Sequence, residues 1–193
     1  NTIHGDEGSG LGSASVTVGA GGLEFGGTAS PNLTLSSDNV APGILVLNGD
    51  VSFTGASGTA SITNGNRLID DGMGGSTDSG GLGSIAGEID LNGATRTFTI
   101  ADGSAATDMV VSAQITGTGG GIAKEGAGTL SLSGANSYTG TTTVSAGTLQ
   151  VGVGGVGTTG TGATTVDLTG TLAGTGTVQG TAATHAINGS LAP

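Results

Sequence analysis

The phrase Gly-Thr-Leu occurs at residues 128–130, 147–149 and 170–172, so one short strand-like segment is written three times at spacings of 19 and 23 residues. A near-fixed period marks a stacked architecture, because each repeat covers its apolar face only with the repeats beside it. About 20 residues is the length of one coil of a parallel β-helix, in which two or three strands of roughly five residues and their turns close a circuit. A longer echo links residues 10–27 to residues 160–176 in the order Gly, Thr/Val strand, Leu strand, which extends the same plan to the N-terminal region. At about 20 residues per coil the chain makes roughly nine or ten coils, a rod of about 45 Å.

Composition agrees with a narrow, repetitive interior. The 193 residues include 43 Gly and are 34% hydrophobic but only 2% aromatic, so Val, Leu, Ile and Ala must fill the core. These side chains suit thin spaces between pleated surfaces. Charged residues make up only 9%, which separates the chain from the charge-rich compositions that stay disordered. With no Cys, disulfides and thiolate metal sites are excluded, and regular backbone hydrogen bonding must supply the stability. Strand-like alternation is read at 13–18, 32–36, 44–47, 50–53, 95–100, 129–133 and 141–144, with Gly, Asn, Asp and Ser clusters between. No segment has helical periodicity.

Three Lys+Arg against 14 Asp+Glu give a formal net charge of −11, which repels phosphate backbones and anionic lipid; no nucleic-acid partner and no membrane contact are expected. No apolar stretch approaches the length of a membrane span. The start at Asn1 without Met suggests a segment of a longer polypeptide, in which any export signal would lie elsewhere.

Residues 124–152, KEGAGTLSLSGANSYTGTTTVSAGTLQVG, resemble the passenger-associated transport repeat, also called the autotransporter-associated β-strand repeat. Its pattern of a Lys, a Gly-x-Gly-Thr-Leu strand, an Asn-x-Tyr-Thr-Gly turn and a second Gly-Thr-Leu strand is met by Lys124, Gly126, Gly128, Thr129, Leu130, Leu132, Asn136, Tyr138, Thr139, Gly140, Thr142, Val144, Gly147, Thr148, Leu149 and Val151. Looser similarity runs from about 82 to 193; Glu125 departs from the small or hydroxyl residue common there. The resemblance implies a right-handed parallel β-helix in a secreted or cell-surface bacterial passenger, assisting passenger folding during or after transport; it does not imply an enzymatic activity.

Asp70, Asp71 and Asp78 lie in a Gly-rich stretch, 68–81, where a flexible turn could gather carboxylates for Ca²⁺. Their spacing fits neither an EF-hand nor a calcium-binding β-roll, and the stretch reads as a solvated loop projecting from the solenoid. His4 and His185 have no Ser or Asp at nucleophile-elbow or triad spacing. Arg67, Arg96 and Lys124 are the whole basic complement; Arg96 reads as an outward strand residue and Lys124 as a cation at a coil edge. An isopeptide bond between Lys124 and Asn136, assisted by Glu125, is the less favoured alternative for those residues. Tyr138, the only Tyr, reads as a turn anchor with a hydrated hydroxyl. The Thr-rich runs suggest an ice-binding array, but a strict Thr-x-Thr face is not sustained.

No catalytic, cofactor-binding or metal residue is assigned, and no cofactor is expected. The expected function is structural: a segment of an extracellular fibre, stalk or adhesin, self-associating end to end or joined to neighbouring solenoid segments. A carbohydrate- or receptor-binding adhesin module is the alternative, and part of a polysaccharide-degrading passenger the more distant one. Gly128, Gly140, Gly147, Leu130 and Leu149 are read as scaffold, with Gly140 needing a positive φ after Tyr138.

Overall fold

In a computed structural model, residues 2–3, 15–27, 30–37, 43–66, 69–70, 76–77, 87–152, 155–180 and 185–192 are described. They contain strands and turns and no helical residue. After β1 (Thr2–Ile3), the first coil has β2 (Ser15–Val18), β3 (Leu23–Phe25) and β4 (Asn32–Ser37), and the second β5 (Ile44–Leu47), β6 (Val51–Phe53) and β7 (Ala60–Asn66). A short excursion, β8 (Ile69–Asp70) and β9 (Ser76–Thr77), precedes the third coil of β10 (Glu88–Asp90), β11 (Arg96–Ile100) and β12 (Met109–Val111). The fourth has β13 (Gln114–Thr116), β14 (Ile122–Glu125) and β15 (Thr129–Leu132). Thereafter one long strand turns the corner between two faces, β16 (Thr142–Val151) in the fifth coil and β17 (Thr164–Ala173) in the sixth; β18 (Ala186–Ile187) and β19 (Ser190–Leu191) form the seventh.

Every ladder between coils is parallel, and strands pair with their counterparts one coil away, which makes the chain an all-β parallel β-helix. Three faces result. The first runs β3, β6, β11, β14, the start of β16, the start of β17, and β18. A second runs β1, β4, β7, β12, β15, the ends of β16 and β17, and β19. The third face has the ladder β2, β5, β10, β13, continued by single bonds such as Ser137 N–H to Ile115 O at 2.9 Å and Thr161 N–H to Tyr138 O at 2.9 Å.

Alternation along each strand sends every second side chain inward, and register stacks like on like. Ala60, Met109, Leu130, Leu149 and Leu172 form one buried column, and Leu45, Ile89 and Ile115 another. The Gly-Thr-Leu recurrence is this register made visible: Thr148 lies between Thr129 and Thr171, and Leu149 between Leu130 and Leu172. At the corner, Gly147 takes a φ of +65°, a left-handed conformation that Gly adopts without penalty.

Three expectations need correction. The described chain makes seven coils after β1, not nine or ten, a stack of roughly 30 Å. The column Leu23, Val51, Phe98, Lys124, Val144, Val166, Ile187 shows why: spacing is 20 to 22 residues only after Lys124 and 26 to 47 before it. The echo between 10–27 and 160–176 is displaced by one face, since β2 belongs to the third face whereas β17 begins on the first. Gly140 has no left-handed φ. It is required instead by close approach, because a Cβ there would lie 2.5 Å from Gly120 O.

Candidate functional site

The sharpest departure from simple apolar stacking lies at the corner between the first and second faces, in coils four and five. Lys124 occupies the inward column between Phe98 and Val144 and is fully buried. Its stem replaces an aliphatic side chain there, while Nζ turns to the corner and donates to Glu125 O at 2.8 Å, Gly126 O at 2.8 Å and Ala146 O at 3.1 Å. Three donors thus meet three acceptors, the full capacity of an ammonium. Two acceptors belong to the fourth coil and one to the fifth. Burial pushes the Lys124 pKa down to about 8, against the opposing pull of the Asp108 and Glu125 carboxylates.

Asp108 closes the other side of the same corner. It is buried just before β12, and its carboxylate accepts Gly103 N–H on Oδ1 and Thr129 N–H on Oδ2, both at 2.8 Å. The turn at 125–128 therefore carries its carbonyls toward a cation and the N–H that follows it toward an anion. Each buried charge is held by backbone dipoles of complementary sign, which is what makes burial tolerable.

The turn after β15 is fixed in the same manner. Asn136 accepts Ile115 N–H at 2.8 Å on Oδ1 and donates to Thr158 O at 2.6 Å, so one amide joins the fourth coil to the sixth. Tyr138 is fully buried, with its hydroxyl 2.7 Å from Thr142 Oγ1. Burial raises the phenol pKa, partly offset by the Thr142 hydroxyl and the Gly160 backbone. Gly160 lies against the ring, where any Cβ would collide with it. One coil on, Thr164 pairs with Thr142 but its buried hydroxyl has no hydrogen-bond partner among the described residues.

The passenger-associated-transport-repeat family matches residues 122–151, the segment that builds this corner and turn. Across 134 residues, 69% of the chain, the sequence is 36% identical to the Adhesin BmaC autotransporter of Brucella suis biovar 1 (strain 1330). The chain carries a passenger-associated transport repeat. It spans 3% of the length of that adhesin, and no solved structure matches it.

The passenger repeat's signature residues are thus interior groups, and two readings of them change. Lys124 is no coil-edge cation; its hydrophobic stem and the three carbonyls draw it inside. Tyr138 has a bonded hydroxyl in place of a hydrated one, because Thr142 faces it from the start of β16. Lys124 and Asn136 are not hydrogen-bonded to each other; each is engaged with main-chain groups, while Glu125 is exposed. The sequence period held a usable sign for Lys124, since the aligned positions one and two coils on are the aliphatic Val144 and Val166.

Arg96 is half-buried and its Nε donates to Leu91 O at 3.1 Å, bracing a corner. His185 Nδ1 accepts Thr164 N–H at 3.1 Å. His4, Arg67, Asp71 and Asp78 lie outside the described residues, as does the side chain of Asp70; the described parts of 68–81, β8 and β9, pair antiparallel as a separate two-stranded sheet. The Thr-rich runs at 139–144 and 158–166 divide between two surfaces: Thr143 and Thr165 pair on the outward side, whereas Thr142 and Thr164 point inward and are buried.

An open concavity of about 660 Å³ lies at the corner of the last coils, lined by Ser145, Asp167, Leu168, Thr169 and Asn188. It arises where β17 carries an extra residue relative to β16, which leaves Leu168 83% exposed. Thr169 Oγ1 donates to Ser145 O at 2.7 Å and ties the irregularity to the coil before it.

Proposed function

We propose that this chain is a non-enzymatic structural segment of an autotransporter passenger, exposed on the bacterial surface or secreted, that spaces or supports other parts of a longer adhesin or fibre. Residues 1–193 act as one solenoid segment, 124–152 as its best-defined repeat, and 68–81 as a loop projecting from it. The observation that supports this reading most is how the buried polar groups are used. Lys124, Asp108 and Asn136 all bind main-chain groups that hold coils together, which is scaffold chemistry. Similarity to a protein named as an autotransporter adhesin supports the surface location.

Antibody raised against this segment and applied to intact cells producing the full-length protein tests the location; labelling is expected, and labelling only after lysis contradicts it. Electron microscopy of the purified segment distinguishes short rods from filaments stacked end to end. A second reading, capture of a surface glycan or receptor, is favoured by the concavity beside Leu168, where a carboxylate, an amide and hydroxyls surround an apolar side chain. Glycan-array binding abolished by Asp167→Ala together with Asn188→Ala would establish it over the spacer role.

A further inference from the structure

We infer that Lys124 is a register pin, a buried cation that makes the fourth coil stack on the fifth rather than on the sixth. The need for such a device is written in the ladders. On the second face, β15 meets Thr148 and Leu149 in the fifth coil, and the sixth offers Thr171 and Leu172 at the same positions. On the first face, β14 meets Thr142, Thr143 and Val144, and the sixth coil offers Thr164, Thr165 and Val166. Side-chain matching on these two faces therefore cannot tell the correct neighbour from the next one along. Alternation fixes which side chains point inward, but it does not choose between two coils that present the same inward residues.

The corners do differ. Between the two ladders the fifth coil has three residues, Ser145, Ala146 and Gly147, whereas the sixth has four, from Asp167 to Gly170. The fourth coil also has four, 125–128, so the correct stack sets a four-residue corner on a three-residue one. At that step sits the Lys124 ammonium, with two acceptors above, Glu125 O and Gly126 O, and one below, Ala146 O. A slipped stack would set two four-residue corners together, residues 167–170 against residues 125–128, and would remove the step that the ammonium bridges. A single buried polar group fixing the alignment of otherwise interchangeable apolar repeats is the best-attested use of such a group.

The chain contains no Cys, so paired thiols can report register. Residues opposite each other on adjacent parallel strands are within disulfide reach, while those two coils apart, about 9.6 Å, are not. Thr129→Cys is combined with either Thr148→Cys or Thr171→Cys, and each pair is unfolded, refolded and oxidised with Lys124 retained or replaced by Lys124→Met, which keeps an apolar stem. With Lys124, only the 129–148 pair should close. With Lys124→Met, the 129–171 pair should close at least several-fold more often, and Lys124→Arg should restore most of the native preference. A Lys124→Met chain that refolds with unaltered pairing overturns the proposal. One that fails to refold also overturns it, in favour of a purely structural role.

Discussion

At the residue scale, the ammonium of Lys124 makes stability depend on pH in a direction opposite to that of most lysines. Its folded value of about 8 lies below the ordinary 10.5. Below pH 8 both forms hold the proton and the folded chain bears the whole cost of burying it. Between 8 and 10.5 the unfolded chain binds a proton that the folded chain has released, so stability rises with pH across that window. Relative to Lys124→Met, the native chain should gain about 2 kcal/mol between pH 7.5 and 9.5, measured by urea unfolding; an unchanged difference would refute the assignment. Tyr138 acts in the reverse sense, because its raised phenol pKa costs stability once unfolded Tyr ionises above about 10. Tyr138→Phe should lower stability by about 1–2 kcal/mol at pH 7 by stranding the Thr142 hydroxyl, and should abolish the decline attributable to this group at high pH.

At the scale of the element, the strand around Leu130 was legible because alternation and period agree. Leu130 lies fully buried between Met109 and Leu149 in an apolar column, and Leu130→Asp should cost roughly 4 kcal/mol or more, melting the neighbouring coils with it. Circular dichroism melting would show this as loss or marked lowering of the transition. Gly140→Val should cost about 1–3 kcal/mol through collision with the Gly120 carbonyl; an unchanged melting curve would mean the coils are further apart at that turn. The sequence also made the seven quoted strand segments visible, six of them within a residue or two at each end. It did not reveal β10 or β13, three residues each, which are too short for alternation to register and are specified by the coils beside them. Lys124 and Tyr138 escaped notice as interior residues because single-chain patterning scores a cation or a phenol as outward, whereas the partners that hold them inside, Ala146 O and Thr142 Oγ1, are supplied by a later segment.

At the scale of the whole molecule, the fold class followed from the period, but coil number did not. A period measured on 128–172 describes compact coils, and the earlier coils carry added length between their strands, most of all in the 47-residue step from Val51 to Phe98 that contains β8 and β9. Additions of this kind are tolerated because the stack needs only the strands to stay in register, while chain between faces can leave and return. The candidate corner was half visible: the repeat pattern picked out the residues, and the fold supplied their contacts. The chain's central property is continuity of parallel, in-register pairing from coil to coil. Through-hydrogen-bond NMR couplings measure it most directly. They should join Ile122 N–H to the Thr141 carbonyl, Thr142 N–H to the Ala163 carbonyl and Gly152 N–H to the Leu132 carbonyl. Couplings that instead pair 129–133 with 141–144 as an antiparallel hairpin would contradict the account.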